Sequence, residues 1–324
     1  MTFFTIVMAL TSALSSNNAS ALIHLGRRVN MTISVDWEGK TPKAGHLQAM
    51  RQFREDFPKI PLLHFLNPAH FTRPGAEATD LRREIGSVLR PGDMIGLHLH
   101  AWRDLIEAAG VDFRSSPSFI GAAGSQLIDG RYGYDVPIYV YTTEELRRLV
   151  RLGLHLLREN GFTAPIRVFR AGGWLADARV LDAIRAEGLT IDSSALPPEI
   201  GAHGFWSLPL YRSVRELWKD ITPVSQPYIV ETPSGALIEF PNNAGMADHV
   251  SADRAVKIFR DQANEAKRGQ IVHFHYGFHD DTAQDMLPRV RAVLQKVKRY
   301  ARLTGIRLEF VTMPTGCARI LQSL

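Results

Sequence analysis

The stretch TISVDWEGK, residues 32–40, opens as a β-strand and closes on two carboxylates. Thr32, Ile33 and Val35 are β-branched and favour extended backbone, and Gly39 supplies a stop. In an extended chain, residues i and i+2 point to the same side, so Asp36 and Glu38 share their neighbours. Two carboxylates so placed repel unless a cation, a proton or a dipole lies between them. A solvated strand end before a turn would account for them, and so would half of a metal or acid–base site. The choice depends on what the other strands carry.

Working outward, strand-like and helix-like runs alternate to the end of the chain. MTISV, IPLLHFL, MIGLHLH, IRVFRA, LTIDSS, LIEFPNN, QIVHFHY and IRLEFVTM read as strands. Between them HLQAMRQFREDF, EATDLRREIGSVL, TTEELRRLVRLGLHLLREN, DARVLDAIRAEG, ADRAVKIFRDQANEAKRG and MLPRVRAVLQKVKRYARL read as helices. Thr142 with Glu145 predicts a capping box, Asn160-Gly161 a helix stop, and Ser251 a cap. Such alternation predicts an α/β protein with a parallel sheet. No GxGxxG follows the first strand, which argues against a dinucleotide-binding unit. Seven or eight units without a linker suit a (β/α) barrel, formed by residues 31–324 as a single domain, better than two domains.

Chemically capable side chains fall at the C-terminal ends of these strands, where a barrel builds its active site. They are Asp36 and Glu38, Asn67, His98 and His100, Arg170, Asp192, Asn242 and Asn243, and His273 and His275. Asp36/Glu38, His98/His100 and His273/His275 repeat one i, i+2 spacing. A lone strand histidine is ordinarily a satisfied core residue, but HLH and HFH both stand before breaks in the strand pattern. One carboxylate with two imidazoles is a facial ligand set that leaves positions open for water and substrate. Zn2+ is the leading candidate, with Co2+ or Ni2+ as alternatives.

The bulk numbers exclude other classes. The net charge of +5 is mild, and much of the excess lies in a C-terminal helix whose apolar stripe is Val290, Val293, Leu294 and Val297. That reads as a solvated helix face, and no nucleic-acid motif accompanies it. The single cysteine, Cys317, rules out an intramolecular disulfide and a cysteine-rich zinc site. Residues 1–30 read as a leader or an extension outside the working domain. FFTIVMAL is apolar and ASA at 19–21 resembles a cleavage site, but no basic residue precedes the apolar run, and the run is too short to span a bilayer. A cytoplasmic location is the expectation, a periplasmic or secreted one if residues 1–21 are a signal peptide.

The ordered set SVDWEG, IGLHLHAW, VFRAGGW, IDSS and IVHFHYGFHDD resembles the polysaccharide deacetylase superfamily, the NodB-like carbohydrate esterases, over residues 31 to about 320. The resemblance implies a distorted (β/α)7 barrel and metal-dependent removal of acetyl groups from sugars. It makes Asp36 the general base, Glu38 the metal-binding acid, Arg170 the group that orients the base, and His275 the general acid with His273 second. The family's usual HxxxH is absent, and His98 with His100 stands in for it, as in a subset with an HLHPW-like motif. His64, Asn67 or His70 could complete the shell. The substrate contacts expected at the mouth are Trp102, Asn67, Tyr134, Trp174, Asn242 and His273. The long Gly- and Tyr-rich insertion at residues 127–141 reads as a substrate lid, whereas His155 reads as solvated. The expected substrate is an N-acetylated sugar from a surface polysaccharide or its precursor. A small amide or other C–N bond, cleaved by a metal-poor site, is the alternative within the superfamily, and a non-catalytic glycan-binding barrel the alternative outside catalysis.

Overall fold

In the first strand, β1 (Arg28–Trp37), the odd positions Val29, Met31, Ile33, Val35 and Trp37 are apolar, while Asn30, Thr32, Ser34 and Asp36 are polar. Both sets are buried. A strand that alternates yet is covered on both faces must put its polar side against other polar groups, or the burial is costly. The computed structural model, which describes residues 26–204, 207–266 and 271–313, meets this requirement by curling the sheet around a polar interior.

The other strands are β2 (Leu62–Leu66), β3 (Met94–Leu99), β4 (Val168–Ala171), β5 (Ile191–Asp192), β6 (Tyr228–Val230), β7 (Leu237–Glu239), β8 (Ile271–His279) and β9 (Arg307–Phe310). Their order is β6-β7-β5-β4-β3-β2-β1-β8, with β9 paired to the first half of β1. All pairs are parallel except β6 with β7. Among the described residues the barrel closes without a full strand pair between β7 and β8. The segment after β7 bridges the gap, with Ala244 N–H donating to the His275 carbonyl at 3.0 Å and Ala247 N–H to the Gly277 carbonyl at 2.7 Å. This is the (β/α) barrel that the alternation predicts, distorted as the family resemblance implies.

The covering helices are α1 (Ala44–Asp56), α2 (Ala78–Gly86), α3 (Arg103–Ala108), α4 (Thr143–Glu159), α5 (Ala178–Ala186), α6 (Pro198–Gly204), α7 (Leu208–Leu217), α8 (Ala252–Glu265) and α9 (Ala283–Thr304). The capping box at α4 is present in both directions, with Glu145 N–H to Thr142 Oγ1 at 3.3 Å and Thr142 N–H to Glu145 Oε2 at 2.8 Å. Ser251 caps α8 through Arg254 N–H at 3.3 Å. In α9 the stripe Val290, Val293, Leu294 and Val297 is buried as its period requires. Phe274 and Phe278 of β8 point the other way from its histidines and meet Phe259 of α8 and Phe53 of α1, with ring centroids 5.5 and 6.4 Å apart.

The structure departs from the sequence expectation at five elements. The helices α3, α6 and α7 and the edge strand β6 are additions; α3, α6 and β6 have too few residues for a clear apolar period, whereas α7 has ten residues and a Ser207 cap. β1 begins at Arg28, ahead of Met31. Residues 28–30 pair with both β8 and β9, and Val29 is buried. Residues 1–25, where most of the expected leader falls, and Cys317 lie outside the described residues.

Candidate active site

Register sets which side chains meet. Asp36 lies level with His279 across β1 and β8, whereas Thr32 lies level with His275 and Asn30 with His273. His98 pairs with Arg170 across β3 and β4. The strand ends therefore gather Asp36, Glu38, His98, His100 and His279 around one cavity of about 430 Å3.

At its floor Arg170 Nη1 donates to Asp36 Oδ1 at 2.7 Å, both groups being buried. The guanidinium also donates to the Ser193 carbonyl and hydroxyl, each at 3.0 Å, and stacks on Phe65 at 4.2 Å. Burial lowers the Arg170 pKa and the Asp36 carboxylate works against that shift.

Beside this pair sits a cluster of acceptors. The ring nitrogen His98 Nδ1 bonds the Arg170 carbonyl at 2.9 Å, and His100 Nδ1 bonds the Tyr134 carbonyl at 2.7 Å. A carbonyl only accepts, so each Nδ1 carries a proton, and the tautomer this selects leaves Nε2 as the ligating nitrogen. Those nitrogens lie 3.6 and 2.8 Å from the Glu38 carboxylate oxygens. Among the described residues neither His98 Nε2 nor Glu38 Oε2 has a hydrogen-bond partner, although both are buried. Converging buried acceptors require a positive charge between them. Imidazoles held by Nδ1–H bonds with free Nε2 atoms are also how histidine ligands are oriented around metals. Glu38, His98 and His100 thus fit a divalent cation.

Opposite them, His279 Nδ1 contacts Asp248 Oδ2 at 2.8 Å, and its Nε2 lies 3.7 Å from Glu38 Oε1. Burial alone would lower this imidazole's pKa. The Asp248 carboxylate, with Glu38 and Asp36 beyond it, raises it to about 10.

Several expected site residues lie elsewhere. His275 is fully buried behind Arg170, with Nε2 3.1 Å from Arg170 Nη2 and 2.9 Å from Ser34 Oγ. Burial and the adjacent guanidinium hold it well below the usual histidine range, so it stays neutral. His273 lies further down β8, lowered to about 4 by burial. Asn242 donates to the Gly245 and His275 carbonyls inside the closing segment. Asn67 and Trp102 both donate to the Glu38 carbonyl, at 3.4 and 2.9 Å, so they fix the backbone that carries the carboxylate. His64 is engaged by Trp37 and Asp93, at 3.2 and 3.3 Å, and His70 is buried away from the acceptor cluster. Trp174 does line the cavity, with φ +60°, a conformation few bulky residues adopt. Tyr134 lines it too, but its ring is taken up by His100, stacked at 4.2 Å, and by the Lys40 ammonium at 4.2 Å.

His279, Asp248, Lys40 and Asp281, which also line the cavity, were not picked out by sequence reasoning. For His279 the signal was present. In HFHYGFH it shares the parity of His273 and His275, and it stands last, where a barrel strand meets its active site. For Asp248 no local pattern distinguishes it from any other loop acid.

No protein-family model matches the chain, and no curated protein matches it. Among solved structures, a protein described as a polysaccharide deacetylase from Mycobacterium smegmatis superposes with a TM-score of 0.51 at 12% identity, covering 92% of each chain. A chitin deacetylase from Colletotrichum lindemuthianum gives 0.42 at 11% identity, over 89% of this chain and 86% of that one. A CE4 esterase from Streptococcus mutans gives 0.42 at 11% identity, over 91% of both. In architecture the chain is a NodB-like distorted barrel, and at these identities the likeness is one of fold.

Proposed function

We propose that this protein is a divalent-metal-dependent deacetylase acting on an N-acetylated sugar. One observation carries the reading. A buried Asp36–Arg170 pair, three acceptors that need a cation, and an imidazolium held by Asp248 converge on one cavity. A divalent cation at Glu38, His98 and His100 supplies Lewis-acid polarisation of an acyl carbonyl and eases deprotonation of an attacking water. Asp36, aimed by Arg170, takes the water's proton as general base. His279, protonated, donates from Nε2 to the departing amine nitrogen, while Asp248 keeps Nδ1 protonated and the ring in place. His275 acts at a distance, accepting from Arg170 and so fixing the guanidinium that holds the base.

A small non-sugar amide is the second reading. It is favoured by the cavity wall, where Phe119, Ile120, Ile128 and Leu210 offer no hydrogen-bonding side chain to sugar hydroxyls. The test is to incubate the Zn2+-loaded protein with N-acetyl sugars, their short oligomers and simple aryl and cyclic amides, measuring free acetate and free amine together. Equal amounts of both from a sugar, abolished by a chelator, are expected. Turnover confined to the simple amides selects the second reading, and turnover of none rejects both.

The Asp248–His279 pair sets a pH dependence. His279 works protonated, so its contribution is lost as pH rises through its raised pKa. Asp248→Asn removes the charge that raises it most, and the alkaline limb of kcat/KM against pH should move to lower pH. An unmoved limb would show that another group sets it.

A further inference from the structure

The insertion at residues 127–141, expected to be a lid, is built into the barrel mouth. Arg131 donates to the Gly39 carbonyl at 2.8 Å, to the Ala69 carbonyl at 3.1 Å and to the Asp104 carboxylate at 2.7 and 3.0 Å. These groups follow β1, β2 and β3, so one guanidinium ties the insertion to three strand ends. Arg103 N–H donates to the Tyr132 carbonyl at 3.0 Å. At Gly133 (φ +101°) an added Cβ would meet the Ala101 carbonyl oxygen at 2.0 Å, so the insertion lies flush on the segment after β3. The buried Asp135 carboxylate gathers Ser118, Ser125 and the Gln126 N–H, which fixes the loop internally. Such bonding does not suit a flap that opens for each substrate.

What this framework delivers to the site is Tyr134. The two histidines differ in how they are held. His98 lies within β3, and the neighbouring strand β4 supplies the Arg170 carbonyl for its Nδ1. His100 lies one residue past the end of β3, where no strand partner is in register. Its Nδ1–H is taken by the Tyr134 carbonyl at 2.7 Å, and its ring lies flat on the Tyr134 ring at 4.2 Å and 10°. The Tyr134 hydroxyl sits beside the Glu38 carboxylate. On the far side Gly172 leaves no room for the ring to swing, since a Cβ there would meet it at 2.6 Å.

We propose that this insertion is a clamp for the metal site and that Tyr134 is its positioning residue. It fixes the tautomer and direction of His100, a task that the barrel performs by itself only for His98. The clamp rests on the reading of Glu38, His98 and His100 as cation ligands. It gives the HLH spacing a structural counterpart: the second histidine, too near the first to find a strand of its own, is held by added chain.

The experiment uses the full chain and Zn2+ itself. Affinity is measured by competition with a chromogenic chelator, dissociation by stopped-flow, and ligand geometry by the visible spectrum of the Co2+-substituted protein. Losses of roughly 10–100-fold in Zn2+ affinity are expected for Tyr134→Ala and Gly133→Ala, with a changed Co2+ spectrum. Tyr134→Phe keeps the carbonyl and the stack, so it should lose less while folding normally. Leu127→Ala, on the exposed part of the same insertion, should bind Zn2+ like the parent protein. Wild-type affinity and an unchanged Co2+ spectrum in the Tyr134 variants, with a higher KM, would overturn the clamp and return Tyr134 to substrate binding. A parent protein that takes up no divalent ion would instead overturn the metal reading itself, and the clamp with it.

Discussion

Asp36→Asn should lower kcat by roughly two to four orders of magnitude, the usual worth of a positioned general base. The amide keeps the size of the carboxylate and can still accept a hydrogen bond from Arg170, but it has no basic oxygen for the proton of water. The substitution should also cost stability. Arg170 is buried with Asp36 as its 2.7 Å ionic partner, and stripping one partner from a buried pair costs about 3–5 kcal/mol. Here Ser34, Ser193 and His275 still engage the guanidinium, so the loss belongs at or below the lower end of that range. Urea melts give the stability, and kcat per folded molecule gives the chemistry. A folded variant with near-parental turnover would remove Asp36 from the mechanism.

The second large effect concerns proton donation. His279→Ala should lower kcat on an N-acetyl amine by roughly two to four orders of magnitude. On an acetyl ester with an activated leaving group the loss should be far smaller, because that group departs without a proton. His275→Ala should behave differently. It removes a buried acceptor from Arg170 and leaves a void, so it should destabilise the fold and lower both rates in proportion, without discriminating between leaving groups. A loss confined to the amide in His275→Ala, with both rates lowered in proportion in His279→Ala, would reverse the two assignments.

How far the sequence discloses this site follows from what fixes each residue. Asp36, Glu38, His98, His100 and Arg170 lie at or just past strand ends, where period 2 tells which side chains share a face, and the structure brings them together. Depth along a strand is a different matter. Parity alone cannot tell His273, His275 and His279 apart, because all three face the same side of β8. Position in the run marks His279 as the last, and the register, with Asp36 opposite it, places it in the cavity and the other two beneath. Asp248 depends on how the segment after β7 folds back on β8, a long-range hydrogen-bond pattern with no local signature. Trp102 and Asn67 illustrate another limit. An aromatic or an amide at a barrel mouth reads as a sugar contact, yet both side chains turn inward to the Glu38 carbonyl. The fold was the more legible part, because long amphipathic helices such as α4 and α9 carry strong periods and caps. The short α3, α6 and β6 do not.

The reading as a whole turns on the buried acceptors Glu38, His98 and His100. The most direct test is elemental analysis of the purified full-length protein and of Glu38→Gln after equilibration with Zn2+ and removal of free ion. About one Zn2+ per chain is predicted for the parent protein, with occupancy falling strongly in Glu38→Gln. A parent protein free of divalent ions, or a Glu38→Gln variant with full occupancy, would contradict the account.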